Sequence, residues 1–391
     1  MATPQPTRGP SSHGSQAPGH RIQRYWRQVT EGANLEQLWR QFSADARQSY
    51  ALYSREVDWE TIQGKGRFKR WFHAAWAIFH SMLMKLTPAR RVLLLAAMVL
   101  LIYTLPAMLL ADSVAREIAL AKLFAIGAAL LFVLLALELA DRVTMKRDLE
   151  IAREIQHWLV PEAPPSVPGA EIAFATRPAN TVAGDFYDVL PRPGKSGERW
   201  LIVVADVAGK SIPAALLMAT FQASLHTLIG ASESLSDLVT GLNGYACAHS
   251  QGGRRFTTAF FAEYDPASRR LSYINAGHNA PFLKRGNGNF ECFNATGLPL
   301  GIPAPEGASA YTEGACQLEP GDAIIIYTDG LVEAVNAQGA EYGDERLLAA
   351  LRFPVKETAA VMLERLFADV NRFVGETHQQ DDITCLVFQC K

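Results

Sequence analysis

The sequence predicts an α+β protein: a layered sheet-and-helix domain fills roughly the last 230 residues, and two helices of membrane-spanning length precede it. Three observations carry this. Two long uncharged apolar runs lie between residues 92 and 140. From Ala170 onward, short β-rich runs group with one another, and helical patterns group in pairs. Acidic residues stand at the ends of the most apolar of those β-rich runs.

Residues 1–20 are rich in Pro, Ser, Gly and Gln with almost no large apolar side chain, so they cannot bury enough surface to offset ordering entropy and are expected to be a disordered tail. No signal peptide is visible, because the first long apolar run begins near residue 92. Residues 21–91 form a basic cytoplasmic segment of short helices, of which Trp71 to Leu86 is apolar along one side. The first 91 residues hold 14 Lys or Arg against 6 Asp or Glu, leaving 23 against 33 for the remainder. Trp26, Trp39, Trp59, Trp71 and Phe72 interleave with these basic residues, which suits a lipid surface better than nucleic acid.

Val92 to Ala111 gives twenty residues without charge, and Ile118 to Leu137 twenty more with only Lys122, near one end where its stem can snorkel. The pattern predicts two transmembrane helices over 92–140, the alternative being a buried hairpin of a soluble protein. Lys85, Arg90 and Arg91 precede the first span, and Arg142, Lys146 and Arg147 follow the second. The positive-inside bias therefore places both ends in the cytoplasm of a multi-pass protein of the inner (cytoplasmic) membrane. The six residues Asp112 to Glu117 leave no room for an external sensor domain.

Residues 141–160 continue as a linker helix. Met145, Leu149, Ala152 and Leu159 have coiled-coil-like spacing, but Gln156 stands where an apolar residue is expected. A dimer-forming linker and an amphipathic helix packed on the next domain both fit. Pro161, Pro164, Pro165 and Pro168 end it. Beyond them, strands are expected at Glu171 to Thr176, Trp200 to Ala205, Thr257 to Tyr264, Leu271 to Asn275, Ala323 to Thr328 and Ile383 to Phe388. Helices are expected at Ile212 to Ile229, Leu235 to Cys247, Glu345 to Leu351 and Thr358 to Phe373. Strands in runs and helices in pairs indicate layered packing rather than βαβ alternation. The five cysteines form no CxxC pair and have no His at zinc-ligand spacing, so a reduced, cytosolic catalytic part is expected.

The chemistry-bearing candidates are Asp185, Asp206, Asp329 and Asp382, each at the end of an apolar strand or beside a turn. Hard cations such as Mg²⁺ and Mn²⁺ take carboxylate oxygens with water filling the remaining positions. A lone Asp after a strand is usually a turn-former or cap, and Asp329-Gly330 by itself is a turn signal. Val204 to Ser211 ends like a P-loop but lacks Gly at Val204, and Gly184-Asp185 starts like a diguanylate cyclase signature that Phe186-Tyr187 does not continue.

The ordered set decides more than its members. Glu154-Ile155-Gln156 with Val160-Pro161, Arg177-Pro178-Ala179, Val182 to Asp188, Asp206 to Lys210, Asn275 to His278, Gly297 to Gly301, Pro320 to Asp322, Tyr327 to Gly330 with Glu333-Ala334, and Asp381 to Thr384 occur in one order. In this set the sequence resembles the SpoIIE/RsbU branch of the metal-dependent PPM (type 2C) serine/threonine phosphatases. The resemblance implies a four-layer α-β-β-α sandwich over 161–391. It further implies two Mn²⁺ or Mg²⁺ ions held by Asp206, Asp329 and Asp382, with Asp206 bridging, the Val207 carbonyl on one ion, and Asp185 completing the cluster. Ala183 and Ser211 depart from the family's usual Gly. His278 in a Gly-His-Asn turn is taken as structural. The implied activity is hydrolysis of phosphoserine or phosphothreonine on a protein by metal-activated water, with a STAS-domain anti-sigma-factor antagonist as the usual partner in this branch and a homodimer as the expected assembly. Two other readings stand beside it: a catalytically degenerate membrane scaffold that binds a phosphorylated partner, and a metallohydrolase of small phosphate esters.

Overall fold

A computed structural model describes residues 67–110, 112–194, 197–250, 254–303, 311–352 and 357–391. The expected tail over 1–20 and residues 21–66 of the basic segment lie outside them. The rest of that segment opens with α1 (Arg67–Lys85), and the chain divides into two units between Asp141 and Arg142.

In the first unit, α2 (Pro88–Leu109) and the start of α3 (Val114–Leu159) form a hairpin. Pro88 opens α2, where its fixed φ suits a helix and its missing N–H is not needed. The helices approach closely at Gly127: a Cβ there would stand 3.1 Å from Leu101 Cγ. Ala97, Thr104, Leu120 and Leu134 are buried in this seam, and the Thr104 hydroxyl donates to the Leu100 carbonyl at 2.7 Å. At the open end of the hairpin, Arg90 donates to Glu138 at 3.0 Å and to Asp141 at 2.6 Å. Outside the seam, Val92, Val99, Ile102, Leu105, Phe132 and Leu135 are exposed. Both helices are long and apolar enough to cross a membrane, and α3 runs unbroken for 46 residues through the expected linker.

The second unit is built on ten strands: β1 (Ala170–Arg177), β2 (Phe186–Gly194), β3 (Gly197–Val207), β4 (Thr257–Asp265), β5 (Arg270–Ala276), β6 (Phe282–Lys284), β7 (Phe290–Cys292), β8 (Gly314–Gln317), β9 (Ala323–Tyr327) and β10 (Ile383–Cys390). They make two antiparallel sheets, ordered β1-β10-β9-β6-β7 and β2-β3-β4-β5-β8. Its other helices are α4 (Ile212–Leu228), α5 (Leu235–His249), α6 (Asp329–Val332), α7 (Gly343–Ala350) and α8 (Ala359–Val374).

The two-residue period of a strand sorts side chains into layers. Ile202 and Val204 of β3 face Ile324 and Ile326 of β9 and Leu386 and Phe388 of β10, forming the core between the sheets. The intervening Leu201, Val203 and Ala205 pack outward on Met218 and Leu225 of α4 and Leu238 of α5. Ile325, Cys385 and Val387 pack outward on Leu347 of α7 and on Leu366 and Val370 of α8. The result is the expected α-β-β-α sandwich. All six expected strands and all four expected helices are present in this unit. β2, β6, β7 and β8 were not expected. Pro191 and Pro193 disguise β2, and they are tolerated because β2 is the outermost strand of its sheet. The other three have three or four residues, too few for alternation to show.

Candidate active site

Strand register brings the predicted carboxylates together in two pairs. Antiparallel pairing of Phe186 with Ala205 sets Asp185, just before β2, across from Asp206 near the end of β3. Pairing of Tyr327 with Cys385 likewise sets Asp329, just after β9, beside Asp382, just before β10. Gly330 shows how tight that second approach is, since a Cβ on it would stand 2.1 Å from the Asp382 carbonyl oxygen. The glycine of the Asp-Gly pair therefore serves close packing as well as a turn.

Hydrogen bonds join the two pairs across the sheets. Asp382 accepts from the Ala179 N–H at 2.7 Å through one oxygen and from the Gly184 N–H at 2.6 Å through the other. Thr328, the last residue before Asp329, donates its hydroxyl to Asp185 at 2.8 Å. The Val207 carbonyl faces the same place, 3.1 Å from where a Gly184 Cβ would be, with Asp382 Oδ2 at 3.9 Å. Asp185, Asp206, Val207, Asp329 and Asp382 thus converge at one end of the sandwich.

The electrostatics follow from crowding like charges out of water. Burial, then the Asp206 charge, hold the Asp185 carboxyl well above its ordinary range, and it hydrogen-bonds Asp206. Burial and the charges of Asp329, Asp381 and Asp382 push Asp206 up to about 7. Asp329 is raised by burial and by Asp381. Asp382 is raised by burial against the opposing effect of its backbone N–H donors. A cluster so arranged is short of positive charge.

The donors are carboxylate and carbonyl oxygens, which suits a hard divalent cation rather than zinc or copper. Among the described residues, no three His, Cys, Asp or Glu side chains close on a single point. Mg²⁺ keeps several waters and takes one or two carboxylates, so oxygens spread around a cleft fit that ion.

Two motif residues lie outside the cluster. His278 is buried, its Nδ1 3.0 Å from Thr258 Oγ1 and its backbone N–H donating to Asn275, and burial lowers its pKa to about 4. Burial thus holds the ring neutral, against a Thr258 that pairs with Asp206 in the β3–β4 register. Asp188 turns away from the cluster to His226 of α4, at 2.8 Å. Sequence reasoning missed Asp381, which adds charge to the cluster and pairs with Lys210 at 3.0 Å, although both residues stood inside quoted motifs. It also gave no role to Thr328 and Thr384, which hydrogen-bond Asp185 and likewise stood inside quoted motifs.

A profile of the stage II sporulation protein E (SpoIIE) family matches residues 196–391, just over half of the chain. The chain belongs to the SpoIIE family. The matched span begins between β2 and β3, so Asp206, Asp329 and Asp382 lie inside it and Asp185 lies before it. The chain is similar to protein IcfG of Synechocystis sp., 28% identical over 284 residues, covering 65% of this chain and 43% of the relative. It is also similar to the phosphoserine phosphatase RsbU of Bacillus subtilis, 30% identical over 196 residues, covering 50% of this chain and 56% of the relative. The chain therefore spans about half the length of these curated relatives. Among solved structures, the SiaA-PP2C domain of Pseudomonas aeruginosa matches with a TM-score of 0.56 and 23% identity, over 64% of this chain and 99% of that domain. This SpoIIE-family member accordingly has the PP2C fold.

Proposed function

We propose that the chain is a membrane-anchored, metal-dependent serine/threonine phosphatase that hydrolyses phosphoserine or phosphothreonine on a protein. The convergence of Asp185, Asp206, Asp329 and Asp382 from four strand ends carries this reading, and membership of the SpoIIE family supports it. Two divalent cations, Mn²⁺ or Mg²⁺, would supply Lewis acidity and a water made acidic between them. Asp206, with Asp185 and Asp329 as carboxylate neighbours, would be the ligand shared by the ions. Asp329, Asp382 and the Val207 carbonyl would supply further ligands, and Asp185, held by the Thr328 hydroxyl, would complete the cluster. Asp382 has an acceptor site left beyond the Ala179, Gly184 and Asp185 N–H groups, since a carboxylate offers about four.

The anchor is the α2–α3 hairpin, with both ends and the catalytic unit in the cytoplasm. Ile151, Ile155 and Trp158 are exposed on α3, the last at 70%, and a dimer would form on this apolar stripe. RsbU is named a phosphoserine phosphatase, and a phosphorylated STAS-domain anti-sigma-factor antagonist is the substrate class we infer here.

The test is Mn²⁺-dependent phosphate release from such a phosphoprotein by the full chain in detergent. Asp206→Ala and Asp329→Asn should each lower the rate by at least about a hundredfold, because even residues that only support metal ligands cost about 10–100-fold. Undiminished activity in both variants would remove the assignment. Metal binding without any release would leave the scaffold reading instead.

A further inference from the structure

We propose that Gln156 is a positioning residue for the carboxylate loop, holding Asp185 in place from the linker helix; the proposal deepens the phosphatase reading and rests on it.

Gln156 occupies the position at which the apolar spacing of the linker fails. In the folded chain its side-chain amide bonds both backbone groups of one residue. Nε2 donates to the Ala183 carbonyl at 2.7 Å, and Oε1 accepts from the Ala183 N–H at 2.9 Å. A primary amide is the one neutral side-chain group that donates and accepts from adjacent atoms in this way. It pairs with Ala183 as a neighbouring strand would.

The next two residues are held from elsewhere. The Gly184 N–H goes to Asp382 at the head of β10, and Asp185 receives the Thr328 hydroxyl from the end of β9. Three consecutive residues are thus fixed by three elements, and only Gln156 belongs to a helix outside the sandwich layers.

Surrounding packing does not make this contact redundant. A cavity of about 760 Å³ lies beside it, lined by Glu150, Arg153 and His157 of α3 and by Phe174, Thr176 and Asp185 across from them. Rotating the helix by one residue turns a side chain through about 100°, which takes Gln156 out of reach of Ala183. The orientation of the last turns of α3 therefore sets the order of the loop that carries Asp185.

The full chain in detergent is stripped with EDTA and titrated with Mn²⁺, free ion being followed by electron paramagnetic resonance. Hydrogen exchange of the peptide spanning 180–188 is measured in the metal-free state. Gln156→Leu keeps the helix and the volume but loses both bonds. It should weaken Mn²⁺ binding by about tenfold, the size expected for two lost hydrogen bonds, and speed exchange in that peptide, with the rate deficit narrowing as Mn²⁺ is raised. Gln156→Glu keeps the acceptor and loses the donor, and should fall between the two. It decides the matter alone if Gln156→Leu does not fold. Affinity and exchange equal to wild type in the folded variants would overturn the proposal while leaving the phosphatase reading intact. Wild type that binds Mn²⁺ but hydrolyses no phosphoprotein would overturn the phosphatase reading, with Gln156 still judged by binding and exchange.

Discussion

Ser211 sits at φ 60° and ψ −141° immediately before α4, a region that glycine enters freely and other residues enter at about 1–3 kcal/mol. This accounts for the glycine that the family resemblance leads one to expect there. Ser211→Gly should raise the thermal midpoint of the metal-free chain by an amount worth about 1 kcal/mol, and a lower midpoint would show that the serine is not strained. The carboxylates give a second test at this scale. Asp206 titrates near 7 when folded and near 3.8 when unfolded, so its contribution to stability is full below about 4 and lost as pH rises through about 7. His278 works oppositely: buried neutral with a pKa near 4, it favours the folded state as pH rises toward 6.5. From pH 6.5 to about 7 Asp206 is still losing its proton after His278 has ceased to oppose it. The EDTA-treated chain should melt at falling temperature across that window and recover with Mn²⁺; a flat or rising midpoint in EDTA contradicts the buried cluster. The four aspartates were readable because each follows or precedes an apolar run. The bonds of Thr328 and Gln156 were not, although both residues stood in quoted motifs, because their partners lie 143 and 27 residues away and a hydrogen bond across the fold leaves no periodic trace.

At the level of elements, β3, β9 and β10 were legible because both of their faces are covered, so they read as nearly continuous apolar runs. The same burial forces any charge among them to be paired. Glu263 of β4 is buried between Arg192 of β2 and Arg199 of β3, with the Arg199 contact at 2.6 Å, while Arg192 also donates to the Ser232 and Ser234 carbonyls ahead of α5. Removing the shared carboxylate leaves the buried Arg192 charge with only backbone carbonyls to compensate it. Glu263→Ala should therefore cost about 3–5 kcal/mol, and Glu263→Gln less, in denaturant melts. Equal, small losses would mean that water reaches the pair. Helices α5 and α8 are closed by local chemistry that the sequence reading did not use: Ser234 and Asp237 form a reciprocal cap, and Thr358 accepts from the Val361 N–H.

For the whole molecule, the division near residue 141 separates a hairpin whose outer surface is apolar from a sandwich whose core is closed on itself. The full chain should sediment with membranes and resist alkaline extraction, and a chain starting at Arg142 should be recovered in the soluble fraction. Recovery of the full chain in that fraction would count against the anchor. If the same truncation also leaves turnover and oligomeric state unchanged, the anchor has no regulatory role.

The two prolines of β2 bear on how copies can meet. Pro191 and Pro193 share one phase of an outermost strand, so donors are missing from a single flank of the sheet, and no incoming strand could complete a ladder there. Sheet extension, the cheapest way for two sandwiches to fuse or aggregate, is closed on that side. A copy that meets this flank can hold it only through side-chain contacts, which separate again without breaking a sheet.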